Sequence, residues 1–241
     1  MPGGVYSALS GLSTRTERLD RIAEDISNAA TPGYKGDRAT MMASDRSTFS
    51  EKLSSSVDVL LSKPIPDFRE GVVVASGRDL DFAIQGNGFF QIQTPAGLRY
   101  TRSGHFTKSA DGSIITTSGD LVLGQDGNPL KLPPGSMTFD ADGNIRVGNT
   151  AVGRPAVMTF KNLNQLIREG GVRFKAPDSL TPEPSVDGKV KPQMIEESNV
   201  LPQERMAQLV GVSRSYDALQ RGISVLLNEI DGRAITELGR R

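Results

Sequence analysis

Apolar and small residues recur at Val5, Leu9, Leu12, Thr16, Leu19, Ala23, Ile26 and Ala30, a strict alternation of four and three that predicts an amphipathic helix with a heptad seam. The pattern stops at Ala30-Thr31-Pro32-Gly33, where the proline biases its predecessor out of the helix and the glycine can turn the chain. Roughly 25 residues at 1.5 Å each give a rod of about 40 Å. The other end of the chain repeats the device after Pro202, a residue suited to a first helical turn. There Met206, Leu209, Ser213, Tyr216, Gln220, Ile223, Leu227, Ile230 and Ala234 alternate by three and four, while Val212, Leu219 and Leu226 add a second stripe at sevenfold spacing. So broad an apolar face predicts more than one neighbour.

Both seams are weak for autonomous coiled coils. Thr16, Ala23, Ala30, Ser213 and Gln220 bury little, and Gly211 and Gly222 each cost about 1 kcal/mol relative to alanine inside a helix. Two readings follow: ordinary amphipathic helices on a β core, or terminal helices that pair with each other and with other subunits. On the second reading the ends are poorly ordered in the free monomer and become helical on assembly.

The middle of the chain changes period. Residues 36–75 are polar, serine-rich and interrupted by Pro64 and Pro66, which reads as a connector with a short helix around Ser50 to Leu61. From Leu80 to Phe174 short β-type runs alternate with turn chemistry. The expected strands are Phe82–Gln85, Phe89–Thr94, Leu98–Arg102, Ser113–Thr117, Leu121–Leu123, Ser136–Phe139, Asn144–Val147 and Ala156–Phe160. Asp111-Gly112, Asp126-Gly127, Asp142-Gly143 and Asp187-Gly188 mark hairpin turns, which suits a meander. The proline-rich stretch Ala176 to Pro192 reads as an extended return path. The predicted class is therefore α+β: N- and C-terminal helices pairing as a coiled-coil-like helical domain, around a central, mainly antiparallel β-domain. The expected divisions are 1–35 and 193–241 for the helical ends, 36–75 for the connector and 76–192 for the β-domain.

Composition removes several classes of chemistry. With 28 Lys+Arg against 28 Asp+Glu, the chain has no net pull on nucleic acid or anionic lipid. It has no cysteine, which excludes disulfides, thiolate nucleophiles and Cys-ligated metals, and a single histidine, which excludes a multi-histidine site. No run approaches 18 apolar residues, and Met1-Pro2-Gly3-Gly4 lacks the charged and apolar regions of a cleavable signal peptide.

The remaining motifs do not add up to a reaction. Asp140-Ala141-Asp142-Gly143-Asn144 starts like a calcium loop, but Ile145 stands where glycine is needed and Ala151 where glutamate is needed, so a hairpin turn is expected. Gly86-Asn87-Gly88 lacks the third glycine and following helix of a phosphate loop and reads as a turn into a strand. His105, with Ser103 nearby, lacks any signal of an orienting carboxylate and reads as a solvent-facing turn residue. No catalytic residue, cofactor or metal site is expected. A carboxylate pair on the β-domain would be the only hydrolytic alternative, and the chain has no tryptophan to line a sugar groove.

The run Ile26-Ser27-Asn28-Ala29-Ala30-Thr31-Pro32-Gly33-Tyr34-Lys35 resembles the N-terminal signature of bacterial flagellar rod and hook proteins, matching at Asn28, Thr31, Gly33, Tyr34 and Lys35. The C-terminal pattern resembles it too, at Glu197-Ser198-Asn199-Val200, Met206, Leu209-Val210, Arg214 and Tyr216-Asp217-Ala218, as do the central blocks from Ala75 to Phe90 and Tyr100 to Gly104. The short connector and Gly77-Arg78-Asp79-Leu80-Asp81 are most similar to proximal-rod members, with distal-rod members the nearest alternative and an exported coiled-coil scaffold or adhesin a more distant one. The resemblance implies a structural subunit exported through the flagellar type III apparatus without a cleaved signal peptide. It also implies polymerisation with itself and other rod proteins in the periplasmic part of the basal body. Its partners would include neither nucleic acid nor an inserted membrane. The assembly seam would comprise Val5, Leu9, Leu12, Leu19 and Ile26 meeting Met206, Leu209, Tyr216, Ile223, Leu227 and Ile230, with Asn28, Thr31, Gly33 and Tyr34 at the helix exit.

Overall fold

The computed structural model describes residues 2–38, 65–140 and 143–238, with side chains from 9 to 225 inside those ranges. The expected helix around Ser50 to Leu61 lies outside the described residues. The class is α+β, with one helix at each end, Pro2–Ser27 and Pro202–Leu238, and antiparallel strand pairs between them. Two compact groups divide the chain. One holds the two terminal helices, and the other holds Asn28–Gly36 together with Pro66–Val200. The segment from Asn28 to Gly36 thus groups with the β-region, although it continues the N-terminal helix in sequence.

The β-group is organised around the strand Phe89–Thr94, central in a nine-stranded sheet among the described residues. On one side it pairs with Gly97–Thr101, which in turn pairs with Arg173–Lys175 and then Ile167–Arg168. On the other side it pairs with Val157–Thr159 through Phe89 and Phe90, and with Leu121–Val122 through Ile92 and Gln93. Beyond Leu121–Val122 lie Ile114–Thr116 and Phe106–Lys108, a local meander. The expected meander therefore holds for part of the sheet, while the Arg173–Lys175 and Val157–Thr159 pairings are long-range crossings.

Successive residues of a strand point to opposite faces, and here both faces are covered. Phe90 and Ile92 join Phe82, Phe106, Ile114, Val122 and Ile145 in one core, whereas Phe89 joins Tyr100, Phe160 and Phe174 in a second. The second core is aromatic: Tyr100 meets Phe160 edge-on at 4.7 Å, and Phe68 meets Phe89 at 5.3 Å. Burying each such side chain contributes about 1.5–3 kcal/mol, so the Phe89-Phe90 pair anchors both layers.

All eight expected strands are present to within a residue or two at their ends. The turns at Asp111-Gly112 and Asp126-Gly127 form with positive φ at the glycine, and each aspartate accepts a hydrogen bond two residues on, from Ser113 Oγ at 2.8 Å and Asn128 Nδ2 at 2.9 Å. Two expectations need correcting. The segment from Ala176 to Pro192 is more than a return path, since Glu183–Pro184 pairs with Val157–Thr159 and Lys189–Pro192 with Phe82–Gln85. Gly188 is outside the positive-φ set; instead a Cβ there would lie 2.8 Å from the Asn87 carbonyl, so glycine serves close approach rather than turning.

Candidate assembly interface

The two terminal helices touch along an antiparallel register. Arg205 Nε lies 3.0 Å from Asp25 Oδ2, Arg15 Nε donates to Ser215 Oγ at 3.2 Å, and a Cβ at Gly11 would sit 3.3 Å from Leu219 Cδ2. Each step toward the start of the first helix is matched by an equal step toward the end of the second. Asp25 is almost fully buried, and Arg205 also donates to the Asp37 carbonyl at 2.8 Å. A charge-assisted bond at one end and a close glycine approach at the other fix this register.

The register separates the predicted seam into an inner and an outer part. Leu12, Leu19 and Ile26 are half-buried, and Ile22, which the sequence seam omitted, is 4% exposed. On the second helix Leu209, Tyr216, Leu219 and Ile223 are half-buried around Val212 at 8%. Leu9, Thr16 and Ala23 remain exposed, as do Met206, Ser213 and Gln220, with Val210 and Val225 beside them. The inner face thus runs Leu12, Arg15, Leu19, Ile22, Ile26 on one helix and Leu209, Val212, Tyr216, Leu219, Ile223 on the other. In each helix half of the predicted seam faces away from the in-chain partner. The side chains of Val5, Leu227 and Ile230 lie outside the described residues.

The helix-exit residues are built into the β-group. Thr31 Oγ1 donates to Asn28 Oδ1 at 3.2 Å, and the Tyr34 N–H donates to the Thr31 carbonyl at 3.2 Å, closing a compact turn. Gly33 sits at φ 68, and a Cβ there would fall 2.3 Å from Ser103 N, so two constraints demand glycine. Tyr34 is 1% exposed, with the Arg168 guanidinium 4.8 Å over its ring. Asn199 joins the other chain exit to this turn: its Oδ1 accepts from Gly36 N–H at 2.9 Å and its Nδ2 donates to the Asp67 carbonyl at 2.7 Å.

His105 departs from expectation. Its Nδ1 lies 2.9 Å from Asp81 Oδ1, which is buried, and Arg78 Nη1 approaches the same ring, so the residue is half-buried between an acid and a base rather than a solvent-facing turn. Asp140 accepts from the Asn144 backbone at 2.8 Å and closes the expected turn, with Ala141 and Asp142 outside the described residues. Among the described residues no group of three or more His, Asp or Glu could hold a metal ion, and no helix is long and apolar enough to cross a membrane.

The two terminal helices pair with each other and keep Leu9, Met206, Val210 and Val225 exposed, as a subunit that binds further copies through its helices would. A family model described as the flagellar hook protein FlgE/F/G D1 domain matches residues 83–147. The chain is 33% identical over 224 residues to the flagellar basal-body rod protein FlgF of Mesorhizobium japonicum, covering 90% of each. It is 30% identical over 250 residues to FlgF of Rhizobium meliloti, covering 99% of each, and 27% identical over 240 residues to the rod protein FlgG of Bacillus subtilis, covering 89% of this chain and 91% of that one. The chain belongs to the flagellar basal-body rod protein family, and the FlgF-type members are those it most resembles.

Proposed function

We propose that the protein is a structural subunit of the bacterial flagellar basal-body rod, of the proximal type, and that it polymerises through its terminal helices. The observation that carries this reading is the division of each heptad seam. The inner half joins the two helices of one chain, and the outer half, with Leu9, Met206, Val210 and Val225, stays in solvent. The second helix has 37 residues against 26 in the first, and in the antiparallel register roughly ten residues at its end run past the start of its partner, an overhang of about 15 Å. An apolar outer stripe and an unmatched helix end suit a neighbouring copy. Heterologous contacts of this kind extend into a filament instead of closing on themselves.

On this reading the helix pair packs as a short coiled coil in the assembled rod, the subunit crosses to the periplasm through the flagellar export apparatus, and its neighbours are other rod subunits. Its role is mechanical and no turnover is assigned to it. Replacing Leu19 with Asp places a charge in the inner face; we expect loss of swimming and of rod incorporation while the β-group keeps its fold. Leu19→Asp cells that export the protein and swim normally would contradict the assignment.

A further inference from the structure

Three charges are buried together where the two chain exits meet. Lys35 Nζ lies 2.5 Å from Glu196 Oε1, and both side chains are fully buried. Arg102, 3% exposed, brings Nε to 3.4 Å from Glu196 Oε2, an oxygen with no hydrogen-bond partner among the described residues. Backbone completes the pocket: Gly71 N–H donates to Glu196 Oε1 at 2.9 Å, and Lys35 Nζ donates to the Arg69 carbonyl at 2.8 Å. Gly71 is needed for this approach, since a Cβ there would fall 2.0 Å from the Glu197 carbonyl.

The three residues come from far apart in sequence, with 161 positions between Lys35 and Glu196. Arg102 follows the strand Gly97–Thr101 and is held by the β-group itself, through Nη1 to the Gly86 carbonyl at 2.9 Å. One buried carboxylate therefore serves two buried cations, while the exposed Glu70 Oε1 lies 3.6 Å from Arg102 Nη2 at the rim. Without it, docking the Lys35 segment would bring an ammonium beside a guanidinium in a dry pocket, where like charges repel strongly and water cannot screen them. Glu196 alone against Arg102 has no such penalty.

We propose that Lys35, Glu196 and Arg102 form an electrostatic clasp that makes docking of the Asn28–Gly36 segment conditional on docking of the Met194–Val200 segment. Arg102 repels a premature Lys35, and Glu196 converts that repulsion into attraction. The two exits, leading to the two terminal helices, are then ordered together. Backbone bonds report the closed state: Gly33 N–H donates to the Glu196 carbonyl at 2.7 Å, and Gly36 N–H to Asn199 Oδ1 at 2.9 Å. The clasp rests on the β-group alone and stands or falls independently of the rod assignment.

The test is amide hydrogen exchange on the full chain in a two-by-two set: wild type, Glu196→Gln, Lys35→Met and the double variant. Gln91 and Ile114 serve as core references, since their amides donate to the carbonyls of Ala156 and Leu130. Glu196→Gln should lower protection at Gly33 and Gly36 about tenfold or more with the references unchanged, because it leaves the buried Lys35 ammonium without a carboxylate, next to the Arg102 guanidinium. In the Lys35→Met background the same change should cost less than about threefold, since the repelling partner is gone. An equal loss in both backgrounds, or no loss in either, overturns the proposal. If Glu196→Gln alone does not fold, the double variant decides: recovered folding supports the clasp, and an unfolded double variant overturns it.

Discussion

Lys35 shows how far a single residue's charge state depends on its surroundings. Burial lowers its pKa from the usual 10.5, Glu196 opposes the shift, and Arg102 adds to it. Between the lowered folded value and 10.5 the unfolded chain holds more protons than the folded one, so stability rises with pH in that window and is flat below it. The stability of wild type relative to Lys35→Met, from urea unfolding at a series of pH values from neutral to 10.5, should therefore increase with pH. A difference that falls with pH would mean that the Glu196 attraction outweighs burial. None of the charges inside the protein was legible in the sequence. Lys35, Arg102, Asp25 and Glu196 belong to residue types that default to the surface, and only their tertiary partners make burial tolerable. Gly33 and Tyr34 stood out as signature residues, but their reason, a left-handed turn against Ser103 and an aromatic ring under Arg168, needs the fold.

At the scale of elements, the heptad alternation located both helices and left their facing undetermined. Leu12, Leu19 and Ile26 belong to the apolar four-three series and also to the buried series that runs through Arg15 and Ile22. A pattern of hydrophobicity alone favours the first series, because Arg15 and Asp25 interrupt the second, yet those two polar residues set the register through Ser215 and Arg205. The distinction is measurable in the free chain. Ile22→Ala, removing a 4% exposed side chain, should cost the helical unfolding transition about 2–4 kcal/mol, whereas Leu9→Ala, at 50% exposure, should stay within about 0.5 kcal/mol. Reversed magnitudes in chemical denaturation followed by circular dichroism would restore the original seam. Strands were more legible than helix faces, since β-branched runs bounded by Asp-Gly turns leave few options. Several strands escaped, Phe106–Lys108, Ile167–Arg168 and Arg173–Lys175 among them; Glu183–Pro184 and Lys189–Pro192 are also short, proline-bearing and held by distant partners, so no local signal marked them.

For the whole molecule, composition and patterning together carried the class. A chain with 28 charges of each sign, no cysteine and one histidine has little to tune chemically and no net charge to drive identical copies apart. Among the described side chains, Leu12, Leu19 and Ile26 of one helix and Leu209, Tyr216 and Ile223 of the other are half-buried, while Leu9, Met206, Val210 and Val225 stay exposed. The central claim is that this outer half makes the contacts between subunits, on a helix pair that the inner half holds together. Its direct test is the double substitution Met206→Glu and Val210→Glu, at residues 53% and 49% exposed, in cells lacking the wild-type copy, with the protein content of purified basal bodies as the readout. The account predicts a variant as stable as wild type in solution that is missing from basal bodies and leaves the cells unable to swim; incorporation at wild-type level with normal swimming would contradict it.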